Sequence, residues 1–298
     1  MRVLITGGRG QLGRELRRAL RSQSDPPHVL ALDLPELDVT DADAVERAVG
    51  QAKPDLVIHA AALTDTSLCE EDEALAMRVN AQGSLHLAEA CRRVDAAMVY
   101  VSTNEVFDGA RREPYGESDE PRPVNAYGRS KLEGERLVRE TLPRHYIVRT
   151  AWLYAEGGSN FPAKVLRLAF ALGESASGGE GRWELSMVTD EVATPTWARD
   201  LAQAIIRLAA QPAYGTYHLT NAGYCSRFQW AAEVLRLAGP PWADVTLHPI
   251  TSAEYSGGVP KPPFSALRNE AAARLGITLR PWQEALGEYL RQGGREGE

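Results

Sequence analysis

Tyr127 and Lys131, in the run Tyr127-Gly-Arg-Ser-Lys131, are the residues of this 298-residue chain whose types and spacing most directly suggest chemistry. Four positions apart on a helix, the two side chains share one face, one turn apart. An ammonium that close to a phenol is expected to lower the phenol's pKa. The phenol then serves as a proton donor to an alkoxide, or as an acceptor in the reverse direction. Thr103 ends the apolar run Met98–Thr103, where its hydroxyl is placed to hydrogen-bond a carbonyl beside Tyr127. A chain with ten tyrosines can carry such a spacing by chance, so the pattern gains its weight from what precedes it.

What precedes it is a glycine turn at the start of the chain. The apolar run Val3–Ile5 leads into Gly7-Gly-Arg-Gly10-Gln11-Leu12-Gly13, and Leu12, Leu16, Ala19 and Leu20 then fall on one helical face. Gly8, Gly10 and Gly13 satisfy G-x-G-x-x-G, and Gly7 adds a second phase. Strand, glycine turn and helix together make a cradle in which a pyrophosphate can approach the N–H groups at the helix start. Asp33 lies 20 residues beyond Gly13, where a carboxylate can accept hydrogen bonds from an adenine ribose. Alone it favours NAD over NADP, because a carboxylate repels a 2′-phosphate. Arg9, inside the glycine loop, could lean toward such a phosphate and cancel the preference, so the choice between NADH and NADPH stays open. The small residues of Ala61-Ala62-Leu63-Thr64 would let the nicotinamide half approach the backbone.

The elements that must position these residues alternate. Strands are expected at His28–Asp33, Leu56–Ala60, Met98–Thr103 and Tyr146–Arg149. Between them fall helices over Asp41–Gly50 (capped by Thr40), Glu70–Arg93 and Ala126–Glu140. Continuous apolar strands between helices predict an α/β fold, a doubly wound parallel Rossmann sheet with a smaller, mostly helical substrate lobe. The dinucleotide-binding part is expected over residues 1–153 and about 188–222. The lobe takes about 154–187 and 223–290, with a frayed polar tail at 291–298. Further helices are expected at Phe161–Leu172, Trp197–Ala210, Ser226–Ala238 and Asn269–Leu275, a strand at Gly215–Leu219, and a mobile loop over Gly173–Gly181.

Composition narrows the function class. A net charge of −7 argues against a nucleic-acid surface. Three cysteines without a C-x-x-C spacing fit reduced thiols, and no apolar run approaches membrane-spanning length. The expectation is a soluble cytoplasmic protein with no nucleic-acid or membrane partner. The six histidines show no paired metal spacing, no G-x-S-x-G elbow is present, and Glu15 reads as a helix-surface acid. A homodimer is compatible with the sequence but not specified by it.

With these pieces in view, the chain resembles the extended short-chain dehydrogenase/reductase family and, within it, the dTDP-4-dehydrorhamnose reductases. The carriers are Gly7–Gly13, Leu37–Asp41, Pro54–Ile58, Ser102-Thr103 with Val106–Gly109, Tyr127–Lys131, Arg149–Tyr154, Asn160-Phe161, Pro195-Thr196 and Ser265–Leu267. The resemblance implies hydride transfer from NADH or NADPH to C4 of a nucleotide-linked 4-keto-6-deoxy sugar, dTDP-4-dehydro-L-rhamnose giving dTDP-L-rhamnose. It implies that Tyr127 protonates the new alkoxide, Thr103 polarises the carbonyl, and Lys131 orients the cofactor and Tyr127. Gly7, Gly10, Gln11, Leu12 and Gly13 would then meet the pyrophosphate. Asp33, Asp38 and Val39 would meet the adenosine end, and Ala62, Leu63 and Thr64 the inner cofactor. Asn104 and Trp152 would meet the sugar.

The chain also departs from the family pattern. Asn104-Glu105 replaces Asp-Tyr, Thr66–Glu70 replaces Val-Asp-Lys-Ala-Glu, and Lys261-Pro262 replaces Arg-Pro. Ser-Thr-Asn-Glu is similar to the Ser-Thr-Asp-Glu of nucleotide-sugar dehydratases, but Asn104 cannot supply their acid. Most departures fall where sugar and nucleotide would sit. The competing readings are a nucleotide-sugar epimerase with tightly bound NAD and a non-catalytic NAD(P)-binding regulatory subunit.

Overall fold

The computed structural model describes residues 1–157, 160–176, 184–240, 242, 245–255 and 258–293. Six runs form one parallel sheet: β1 (Arg2–Thr6), β2 (His28–Leu32), β3 (Leu56–His59), β4 (Ala97–Thr103), β5 (His145–Thr150) and Gly215–His218. Their spatial order is Gly215–His218, β5, β4, β3, β1, β2. The chain steps from β1 outward to β2 and then returns to the other side of β1 at β3. That reversal opens a crevice at the carboxyl ends of the strands, the usual ligand position in such sheets.

Helices cover both faces, as the continuous apolar strands require. On one face α1 (Gln11–Arg21) buries Leu12, Leu16 and Leu20 with Leu201, Ile205 and Leu208 of helix Ala198–Ala209. On the other, α2 (Ala42–Ala52) and helices Gly83–Arg93 and Ala126–Thr141 contribute Val45, Val49, Leu87, Cys91 and Val138. The doubly wound parallel arrangement expected from the sequence is the one present.

Several elements differ in detail. Asp41, not Thr40, caps α2, its carboxylate accepting from the Ala44 N–H, while Thr40 turns back onto Asp38. The stretch 70–93 is not one helix. It is split into Thr66–Glu71, Glu73–Ala76, a π-helical turn Met77–Gln82 and Gly83–Arg93, because Asp72 caps a new start at Glu73, its carboxylate accepting from the Leu75 N–H. The expected loop over 173–181 begins as helix, since Phe161–Ala176 is one element; residues 177–181 lie outside the described residues. Of the expected tail, Arg291 ends helix Trp282–Arg291, and 294–298 lie outside the described residues. Glu15 is not on the surface: α1 packs against helix Ala198–Ala209, and Glu15 is buried on Arg199 at 3.2 Å.

A second apolar cluster gathers Tyr154, Val165, Trp197, Trp230, Val234, Trp282, Leu286 and Tyr289, mostly from helices Phe161–Ala176, Arg227–Ala238 and Trp282–Arg291. Two further strands, Glu184–Val188 and Thr246–Ile250, pair in parallel beside it. The short helix Glu270–Arg274 instead sends Ala272, with Ile277 after it, into the core of the main sheet.

One buried ion pair fixes helix Ala126–Thr141 on the sheet. Glu135, fully buried, accepts from Arg149 Nε and Nη2 of β5 at 2.9 and 2.6 Å and from the Ser102 hydroxyl of β4 at 2.6 Å. Breaking one partner of such a pair leaves an uncompensated charge in a low-dielectric site. Glu135→Gln is expected to cost about 3–5 kcal/mol of stability in urea unfolding. The apolar double variant Glu135→Met/Arg149→Met is expected to recover much of that loss.

Candidate active site

The first turn of helix Ala126–Thr141 is built to touch the end of β4. Asn125 caps it, its Oδ1 accepting from the Gly128 N–H at 2.8 Å. A Cβ at Gly128 would stand 2.1 Å from the Glu105 carbonyl oxygen, so only glycine permits this approach. The approach brings Tyr127 to the end of β4, where it and Thr103 line the same cleft. One turn on, Lys131 is buried with its Nζ 4.1 Å from the centre of the Tyr100 ring. Among the described residues it has no hydrogen-bond acceptor.

These three side chains face a cleft of about 540 Å³ at the crevice between β1 and β3. Gly7, Gly10, Gln11, Leu12 and Gly13 line one wall, Ala62 and Thr64 another, and Asn104 and Trp152 the far end. The glycine turn is closely folded, since a Cβ at Gly13 would lie 2.1 Å from the Gly7 carbonyl oxygen. The first-turn N–H groups of α1 open onto the cleft because a helix start has no acceptors of its own.

Four of the expected residues do not line it. The Leu63 side chain packs with Cys69, Ala76 and Ala126, while its backbone is pinned in both directions by Asn80, at 2.8 and 3.0 Å. Val39 is buried beneath Gly83 and Asp38 is exposed, bonded to Thr40. Asp33 stands at the end of β2, outside the cleft, holding the Arg9 N–H at 2.9 Å.

Burial sets the electrostatics. It pulls the Lys131 pKa down from 10.5 to about 7, against the opposing charge of Glu135. The Tyr127 phenol is raised, by burial first and then by the charge of Glu105, with the Thr103 hydrogen bond pulling the other way. The lowered phenol pKa expected from the sequence is therefore not found. A buried lysine that is half-discharged near neutrality cannot supply the full positive field that the spacing suggested.

The sequence reading gave no site role to Glu105, Thr66, Lys261 or Asn80. Glu105 lines the cleft, and its carboxylate accepts from Asn125 Nδ2 at 2.7 Å and from Lys261 Nζ at 3.2 Å. Lys261 also donates to the Thr66 hydroxyl at 2.9 Å. Three of the departures from the reductase pattern thus meet beside Tyr127. Asn80 joins the wall to the tyrosine helix through Ser130 at 2.9 Å, and Ser130 donates to the Tyr127 carbonyl at 2.8 Å. Trp152 adopts a left-handed backbone, φ 42°, and stacks on Trp230 with Arg227 3.7 Å above its ring.

The model of the RmlD substrate binding domain matches residues 1–294. The chain belongs to that family. It is 40% identical to the dTDP-4-dehydrorhamnose reductase of Mycobacterium tuberculosis over 297 residues, covering 97% of this chain and 92% of that one. The dTDP-4-dehydrorhamnose reductase structure from Clostridium acetobutylicum superposes with a TM-score of 0.90 at 39% identity, covering 98% and 99% of the two chains. The Bacillus anthracis reductase, solved in complex with NADP, gives 0.90 at 34% identity with the same coverage. Among the described residues no helix is long and apolar enough to cross a membrane.

Lys131 offers a direct test of the burial argument. Its folded pKa of about 7 lies below the value near 10.4 of an unfolded lysine. Between those values the unfolded chain binds a proton that the folded chain does not, so this group's contribution to stability rises with pH. The penalty is full below pH 7, where both states are charged. Lys131→Met is accordingly expected to unfold at higher urea than the parent at pH 7, with the difference shrinking toward pH 10. A difference that does not vary with pH would contradict the shift.

Proposed function

We propose that the chain is a nicotinamide-dependent reductase of a nucleotide-linked 4-keto-6-deoxy sugar, converting dTDP-4-dehydro-L-rhamnose to dTDP-L-rhamnose in the cytoplasm. The observation that carries this is the convergence of Thr103, Tyr127 and Lys131 in one cleft with the glycine turn, in a family member 40% identical to such a reductase.

The residues present fit a reduced nicotinamide dinucleotide. Gly7, Gly10 and Gly13 put no side chain between the turn and a pyrophosphate, and Gln11 and Leu12 bring the helix start to it. In this reading Asp33, Asp38 and Val39 would meet the adenosine end, and the backbone of Ala62–Thr64, fixed through Leu63, would flank the inner half. Lys131 Nζ, without an acceptor among the described residues, is free to hold ribose hydroxyls. When bound, the coenzyme supplies a hydride to the sugar's C4.

Thr103 donates a hydrogen bond to the carbonyl oxygen as charge develops there. Tyr127 gives up its hydroxyl proton to that oxygen: the phenol O–H bond breaks and the sugar O–H bond forms. Its raised pKa keeps the phenol protonated until a stronger base appears, which suits donation to an alkoxide. The charge left on Tyr127 is then met by the Thr103 hydroxyl and by Lys131 in its protonated form. Asn104, held by Ser265 at 2.7 Å, and Trp152, held by Trp230, form the fixed end against which the sugar rests.

The test is loss of reduced-nicotinamide absorbance with dTDP-4-dehydro-L-rhamnose and with two other nucleotide 4-keto sugars. One coenzyme should be oxidised per sugar reduced, whereas an epimerase would need no added reductant and a binding subunit would turn over nothing. Tyr127→Phe is expected to lower kcat by about 10²–10⁴-fold. Near-full activity of that variant would remove Tyr127 from its role.

A further inference from the structure

The cleft beside Tyr127 holds a carboxylate that any proton step there has to tolerate. Glu105 lines the cleft with Tyr127, and its carbonyl is the group on which Gly128 packs, so it stands against the first turn of the tyrosine helix. The Tyr127 phenol is raised by burial first and then by the charge of this carboxylate. Asn125 Nδ2 donates to Glu105 Oε2 at 2.7 Å and to the Pro260 carbonyl at 2.9 Å, which seats the next residue, Lys261, at the carboxylate. Lys261 Nζ lies 3.2 and 3.4 Å from the two carboxylate oxygens and donates to the Thr66 hydroxyl at 2.9 Å. The neighbouring charges are committed elsewhere. Glu70 accepts from the Ala126 N–H at 2.8 Å and stands 3.9 Å from Arg129, and Arg227 faces Glu191 at 3.6 Å. Among the described residues, Lys261 is the cation paired with Glu105.

We infer that Lys261 is a positioning residue for proton donation, its ammonium neutralising the Glu105 carboxylate while Tyr127 gives up its proton. The inference rests on the reading that Tyr127 protonates a sugar alkoxide. In that step the phenol O–H bond breaks and the oxygen keeps the electron pair, so negative charge grows on Tyr127 within the field of Glu105. Like charges in a low-dielectric cleft repel strongly. Lys131 offsets this only in part, since burial leaves it about half-protonated near pH 7. A cation already bonded to the carboxylate cancels its field without moving when the charge appears, as preorganised groups do in favouring a transition state. Glu105 in turn holds Asn125, the cap of the tyrosine helix. The pair therefore fixes that helix without leaving a net charge beside its phenol.

The test is the single-turnover rate of coenzyme oxidation by the full chain with saturating dTDP-4-dehydro-L-rhamnose, measured in H2O and in D2O. Lys261→Met is expected to slow it about tenfold, the scale of one partly screened charge acting on a half-formed phenolate, and to enlarge the solvent isotope effect. The KM for the sugar should stay within about twofold, because binding precedes the growth of charge. Adding Glu105→Gln to Lys261→Met should restore the rate, and Lys261→Arg alone should keep it. A parental rate in Lys261→Met would overturn the inference. So would a double variant as slow as the single one, which would make Lys261 only a tether of its loop. A raised KM with the rate unchanged would also overturn it, making Lys261 a contact to the nucleotide diphosphate. Each of these outcomes leaves the reductase reading standing. If the parent oxidises no coenzyme with this sugar or with the other two, the reductase reading falls and the inference with it.

Discussion

The site depends on how flush the tyrosine helix lies against the sheet. Gly128 touches the backbone that follows β4, the Glu135 carboxylate is locked to Arg149 and Ser102 beneath it, and Lys131 is pressed onto the ring of Tyr100. Water is excluded from the two groups that must handle a proton. In that environment desolvation outweighs the mutual attraction of neighbours, so the ammonium becomes less basic and the phenol less acidic at once. Such a pair stores the proton on the phenol, which is the state a reductive donor has to be in. Thr103 and Tyr127 line the same cleft, so the proposed polarising group and donor stand together before a substrate arrives.

The parts of this arrangement that were legible in the sequence are local in the chain. Gly7–Gly13 carries its own strand, turn and helix, and Tyr127 to Lys131 needs only helical periodicity to put two side chains on one face. The apolar strands likewise announced a sheet covered on both sides. What was not legible is assembled over long separations. Glu105, Thr66 and Lys261 come from three distant segments, and only the fold places a lysine from the loop after Gly258 on a carboxylate beside the tyrosine. Burial is equally invisible to spacing. The four-residue interval between Tyr127 and Lys131 predicted a lowered phenol pKa because it assumed a solvated, fully charged lysine. Glu15 was misplaced for the same reason, since its periodicity does not reveal that helix Ala198–Ala209 covers it.

The two ends of the cleft differ in character. The end at the glycine turn is made of backbone and small residues. The end beyond Tyr127 is made of side chains, and several are mutually satisfied: the Glu105 carboxylate has Lys261 and Asn125, and the Asn104 amide has Ser265. The pairs also tie the loop around Lys261 to the segment after β4 and to the cap of the tyrosine helix.

The claim on which the rest stands is that burial keeps Tyr127 a phenol in the free protein. The most direct measurement is a pH titration by NMR with tyrosine labelled with ¹³C at the ring carbon bearing the hydroxyl, the Tyr127 signal being assigned by its loss in Tyr127→Phe. The account predicts that this signal keeps its phenol shift through pH 10, the ordinary midpoint for the group. A phenolate shift appearing near pH 7 would mean that the lysine's charge, and not desolvation, governs the site, and would contradict it.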